Sequence, residues 1–238
     1  MKNKTICIIG AMDCEINKIK ELLSDVETFN FGQFTFYKGR TYNKDAVVAK
    51  SGVGKVAAAV CTQILIDNFS PEFIINTGVA GGLKKGMQIG DIIIAERLVQ
   101  HDFDASALGY AKGYICNGIN PDKPTYFYPD KNLTDKFKTL LSENLINKNC
   151  FTGTIASGDM FISSNEKKKE LVELFDATAA EMESGAIAQC SYLNNIPFVI
   201  IRAVSDMADD EASKKLVFTE EDTANLSAKT VNLFLSLL

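Results

Sequence analysis

Three carboxylates in the stretch 179–208 have unusual company: Glu181 and Glu183 flank Met182, and Asp206 directly follows Ser205. Carboxylates set close together and near apolar residues can divide acid and base work, because poor solvation raises the proton affinity of one without fixing that of the next. Between them runs Pro197-Phe198-Val199-Ile200-Ile201-Arg202-Ala203-Val204, a nearly continuous apolar run of strand length. Such a run predicts a strand covered on both faces, as in a parallel sheet. Ligands of open α/β sheets collect beyond the carboxyl ends of strands, where this reading puts Asp206. Ser184-Gly185-Ala186-Ile187-Ala188 after the glutamates predicts a closely packed helix. The plainer alternative is that Asp206 caps a turn and both glutamates face water.

The elements that must position these groups follow from the rest of the chain. Its 238 residues, 46% hydrophobic and 23% charged, suit an ordered globule with a substantial core. A net charge of −5 argues against a general nucleic-acid binder, and only Arg40, Arg97 and Arg202 could contribute to a guanidinium clamp on phosphate. The six cysteines include no CxxC pair and His101 is the only histidine, which leaves little material for a zinc site. No metal or organic cofactor is expected. Scattered thiols in apolar runs and no apolar run of membrane-spanning length lead us to expect a cytoplasmic protein that binds neither nucleic acid nor membrane. We read the amino-terminal apolar run as a first core strand and not a leader, because Asp13 and Glu15 follow at once.

Periodicity predicts strands at 5–9, 33–37, 46–50, 73–77, 91–95, 151–156 and 197–204, and helices from Asp13 with Ile16, Ile19, Leu22 and Leu23 on its apolar face, over 56–69 and 133–145, one starting with the capping-box spacing of Ser163-Ser164-Asn165-Glu166, and from Thr219 onward. Gly78-Val79-Ala80-Gly81-Gly82 reads as a loop, Lys167–Lys169 as a solvated helix face, and His101 as an ordinary polar loop residue. Tyr114 to Lys131, rich in proline, reads as a surface loop. Ser51-Gly52-Val53-Gly54-Lys55 lacks the full phosphate-loop pattern, and a tight turn explains its glycines equally well. The expected architecture is α/β, one domain over 1–238, with a mixed, mainly parallel central sheet flanked by helices. The polar or glycine-rich segments 10–15, 51–55, 77–82, 157–162 and 205–210 each follow a predicted strand. They can therefore converge on one rim, which favours a functional role for Glu15, Glu183 and Asp206.

Taken together, Gly10-Ala11-Met12 with Glu15, Ser51 to Lys55, Asn76 to Gly82, Ser157-Gly158-Asp159 with Phe161-Ile162, Glu181-Met182-Glu183 and Ser205-Asp206 resemble one family. It is the 5'-methylthioadenosine/S-adenosylhomocysteine nucleosidases of the nucleoside phosphorylase superfamily, and the likeness runs almost end to end in the right order. The resemblance implies hydrolysis of an N-ribosidic bond, with Glu15 activating water, Asp206 protonating adenine N7 and Glu183 binding the ribose hydroxyls. It further implies that Phe161 stacks on the purine and that the backbone at Ile162 reads the adenine edge. Met12, Met182 and Phe218 would line the ribose and 5'-alkylthio pocket, and Val53, Val79, Glu181, Ser205 and Ala208 are further substrate positions. A homodimer is implied as well, in which the segment near Leu108 reaches the partner's site. Two departures stand out: Val79 replaces a hydroxyl residue of some members, and Leu108 stands where an aromatic is common.

The chemistry suits these residue types, since cleavage puts positive charge on the sugar and negative charge on the departing base. A nucleoside phosphorylase is the nearest rival, although Glu15 in the first loop would repel phosphate. A non-catalytic adenosine-binding module is the second, but it would not need all three carboxylates.

Overall fold

The computed structural model describes residues 5–42, 44–115, 119–144 and 149–237, the side chains of 216–220 excepted. Its elements in chain order are β1 (Thr5–Gly10), α1 (Asp13–Lys20), β2 (Ser24–Phe31), β3 (Phe34–Thr41), β4 (Lys44–Lys50), α2 (Lys55–Phe69), β5 (Pro71–Asn76) and β6 (Val79–Gly82). There follow β7 (Ile92–Gln100), a single 3₁₀ turn at Ser106–Leu108, α3 (Lys131–Asn144), β8 (Cys150–Ser157), α4 (Asn165–Phe175), β9 (Ala177–Glu181), α5 (Ser184–Leu193), β10 (Phe198–Asp206) and α6 (Ala212–Leu235).

The sheet runs β2-β3-β4-β1-β5-β10-β6-β9-β8-β7, and β10 also pairs antiparallel with β7. The second half therefore closes into a ring of β10, β6, β9, β8 and β7. Most pairings are parallel, including both neighbours of β1 and the β5–β10 and β10–β6 pairs. The mixed, mainly parallel sheet is as expected.

Alternation divides the core. Ile6 and Ile8 of β1 join Val199, Ile201 and Ala203 of β10 on the face covered by α3 and α6. Cys7 and Ile9 join Phe198, Ile200 and Val204 on the face covered by α2 and α5. Burying each large aliphatic side chain is worth about 1.5–3 kcal/mol, so β1 and β10, buried along their whole length, anchor the sheet.

Several expectations need correction. The last helix begins at Ala212, seven residues before the Thr219 start suggested by its acidic cap pattern, because the preceding stretch is itself helical. Val79–Gly82 is a strand that pairs with β10 and β9, not a loop. α1 stops at Lys20, before Leu22 and Leu23. The cap of α4 is Ser164, one residue later than the spacing suggested, and its side chain accepts from the Lys167 N–H at 3.1 Å. His101 is buried beneath the turn after β7 with neither ring nitrogen hydrogen-bonded, not an ordinary loop residue. Lys168 is only half exposed and leaves the solvated face assigned to it.

Candidate active site

Glu15 is the third residue of α1, and its carboxylate folds back over the helix start. Oε2 accepts from the N–H groups of Ala11 at 2.6 Å and Met12 at 3.1 Å, and Oε1 accepts from Val79 N–H at 3.0 Å. Met12 is the N-cap of α1, Ala11 precedes it and Val79 opens β6, so the carboxylate sits over the helix start and brings an acidic group of the protein's own to that end. Burial nevertheless pushes its pKa up, against the pull of Arg202 and the three amides. Gly78 has to be glycine, since a Cβ there would collide with Glu15 Oε1 and Arg202 Nη1.

Glu181 ends β9 and Glu183 precedes α5. Glu181 Oε2 accepts from Arg202 Nη2 at 2.7 Å, Ser184 N–H at 2.8 Å and Glu183 N–H at 3.0 Å, while Oε1 accepts from the Ser157 hydroxyl. Burial favours its neutral form, but Arg202 and these donors prevail and hold its pKa below the usual range. Glu183 has one such donor, Gly54 N–H at 2.9 Å. Burial, and then the charge on Glu181, push it up to about 8. Gly54 has φ 96°, a conformation L side chains rarely adopt, which makes the glycine there structural.

Asp206 closes β10. Its Oδ1 accepts from Ala208 N–H at 2.8 Å and its Oδ2 from the Ser205 hydroxyl at 2.9 Å. Burial again outweighs these bonds and raises its pKa.

One cavity of about 200 Å³ gathers Met12, Glu15, Val53, Val79, Phe161, Glu181, Met182, Glu183, Ser205 and Asp206, together with Ala11, Ala80, Gly81 and Ala180. Ile162 and Ala208 lie behind this wall, packed in a small core with Leu83 and Ala180. Phe218 lies outside the described side chains. Leu108 is exposed and away from the cavity lining.

Beneath the cavity lies a group that the sequence reading passed over. Arg202 is fully buried, and its Nη2 also donates to Asn76 Oδ1 at 2.7 Å. Its signal was a lone arginine within an apolar strand, because a buried guanidinium requires a carboxylate partner nearby. Among the described residues no group of three metal-ligating side chains converges.

A sequence profile described as the phosphorylase superfamily matches residues 5–238. A 5'-methylthioadenosine/S-adenosylhomocysteine nucleosidase of Staphylococcus saprophyticus is 40% identical over 95% of this chain and 97% of its own. The crystal structure of the enzyme of that name from Neisseria meningitidis, in complex with methylthio-immucillin-A, superimposes with a TM-score of 0.92 at 39% identity, covering 99% of this chain and 100% of that one. A futalosine hydrolase of Helicobacter pylori gives a TM-score of 0.92 at 35% identity, with 99% and 98% covered. The chain belongs to the phosphorylase superfamily and, within it, to the 5'-methylthioadenosine/S-adenosylhomocysteine nucleosidases.

Proposed function

We propose that the protein hydrolyses the N-ribosidic bond of 5'-methylthioadenosine and S-adenosylhomocysteine, releasing adenine and the 5'-thioribose. The observation that carries this reading is the occupation of the α1 terminus by Glu15. A carboxylate at the helix start repels a second anion there, so the nucleophile is water. Water gives its proton to Glu15 as its oxygen bonds to the anomeric carbon. The bond to the purine breaks, and the proton of Asp206 goes to purine N7. The raised proton affinity of Asp206 fits a donor near neutral pH. Glu183 engages the ribose hydroxyls, and its ionised form stabilises the cationic sugar. Phe161 and the backbone at Ile162 hold the purine, while Met12 and Met182 line the ribose and 5' group and Val53 is a further substrate contact. Nucleosides with other 5' substituents, as the futalosine hydrolase relative suggests, are ranked by competition against methylthioadenosine.

Adenine release from methylthioadenosine in phosphate-free buffer is the test. The rate should not depend on phosphate, the sugar product should be methylthioribose, and Glu15→Gln should bind the nucleoside but turn it over very slowly. A ribose-1-phosphate product that grows with added phosphate would sink the hydrolase reading in favour of a phosphorylase.

The same proposal includes a homodimer, supported by Val53 and Phe161, which line the cavity yet remain 55% and 40% exposed, and by Val56, which is 76% exposed on α2. Sedimentation should give twice the chain mass, and a monomer with full activity would remove the partner from the site. A cytoplasmic setting is part of it too, supported by the free thiols of Cys7 and Cys61 buried among apolar side chains.

A further inference from the structure

Lys168 of α4 points away from solvent toward the ends of two strands. Its Nζ donates to the Gly82 carbonyl at 3.1 Å and the Met207 carbonyl at 2.6 Å. Gly82 is the last residue of β6, and Met207 is the first residue after β10. These strands are neighbours whose register shifts between Val204 and Asp206, so the ladder is irregular just where the Asp206 carboxyl emerges. The next residue, Ala208, has φ 50°, a left-handed conformation that costs a non-glycine residue roughly 1 kcal/mol or more. Ala208 N–H is one of the two groups that fix the Asp206 carboxyl. Gly81 leaves the room for this, since a Cβ there would come within 3.0 Å of both Ala208 Cβ and Asp206 Oδ1.

We propose that Lys168 is a positioning residue for Asp206: its ammonium ties the end of β6 to the turn after β10 and thereby fixes the angle at which the carboxyl meets the cavity. This rests on the reading of Asp206 as proton donor. A neutral donor could brace the two carbonyls, but a lysine also places a cation beside the acid. On this outer side Asp209 acts in the opposite sense and is itself paired with Lys215 at 3.3 Å. On the cavity side stand Glu15, Glu181 and Glu183, with Arg202 beneath them. Lys168 is thus the cation nearest the turn that is not already committed to a carboxylate by an ion pair among those described. It holds the turn and restrains the carboxyl from retaining its proton too tightly.

The test compares wild type with Lys168→Met, Lys168→Gln, Lys168→Arg and Asp206→Asn, each checked for folding by circular dichroism. Lys168→Met should lower kcat about tenfold through misplacement of the acid, with a smaller change in KM. Its kcat/KM should also extend to higher pH before falling, because Asp206 without the cation keeps its proton longer. Lys168→Gln keeps a donor for the carbonyls and should show the pH displacement with a smaller loss of kcat, and it serves if Lys168→Met does not fold. Lys168→Arg should restore both. A folded, impaired Lys168→Met or Lys168→Gln whose pH profile coincides with wild type would make Lys168 a mere brace and overturn the inference alone. Near-wild-type turnover in Asp206→Asn would overturn the acid reading and this inference with it.

Discussion

Glu181 and Glu183 are separated by one residue and both are buried, yet one is held ionised and the other is pushed toward its neutral form. At the floor of the cavity, Glu181 is tied to Arg202, Ser157 and two amides. Facing the cavity, Glu183 has one amide and an adverse neighbouring charge. Glu15 shows which difference decides the matter. It has three amide donors and feels the charge of Arg202, and still shifts upward, whereas Glu181, hydrogen-bonded directly to the guanidinium as well as to a hydroxyl and amides, shifts down. The floor of the site fixes charge, and its walls leave protons free to move.

The largest effect should come from removing the cation that separates the two regions. Arg202→Met leaves Glu181 buried without its partner and should cost about 3–5 kcal/mol of stability by denaturant titration; a loss below about 1 kcal/mol would erase the distinction between floor and wall. On the wall, Asp206→Asn should keep the fold and cut adenine release by about 10²-fold or more. An active variant would take Asp206 out of the acid role.

Glu183→Gln should lower kcat about tenfold, more than it affects KM, because its charge matters most when the sugar is cationic. Its effect on stability should depend on pH. The folded pKa of about 8 lies above the ordinary 4.5, so the bound proton favours the folded state at low pH and this contribution fades as pH rises through about 8. The glutamine has no proton to lose. Its Tm relative to wild type should therefore climb by a few degrees between about pH 5 and pH 9, and a constant difference would mean Glu183 titrates like an exposed glutamate. The smallest change sharpens the comparison from below. Ser157→Ala removes one donor from Glu181 and the acceptor of Gly185 N–H, at roughly 1 kcal/mol. Its pH–rate profile should match wild type, since Arg202 still fixes the charge.

The site was legible where residue type carries its own chemistry. Glu15, Glu183 and Asp206 stood out as carboxylates after predicted strands, and β10 as an apolar run too long for chance. What was hidden lacked contrast. β2 is almost wholly exposed, so no buried face marks its sequence SDVETFNF as a strand. β9 is ATAAE, four small residues and a glutamate with no large apolar side chain to mark a strand, set in place by β8 and β6. β6 carries two glycines and reads as a turn until β10 is beside it. Arg202 looked like an interruption of a strand, because periodicity registers polarity and not the partner that neutralises it. Lys168 sat in a run of three lysines whose members share a composition but not a face.

The closed ring of strands has a consequence for behaviour at high concentration. A strand paired on one side only offers its free amides and carbonyls to any chain that collides with it, the usual start of intermolecular sheet growth. With β7 returned to β10, the second half of the sheet presents no such border, and among the described strands only β2 is left with a single neighbour. That border carries Asp25 and Glu27 within an irregular stretch of the ladder, with Asp25 in a left-handed conformation. Like charges and a bent backbone make it a poor template for another copy, so the one exposed margin of the sheet is protected against self-association by its own sequence.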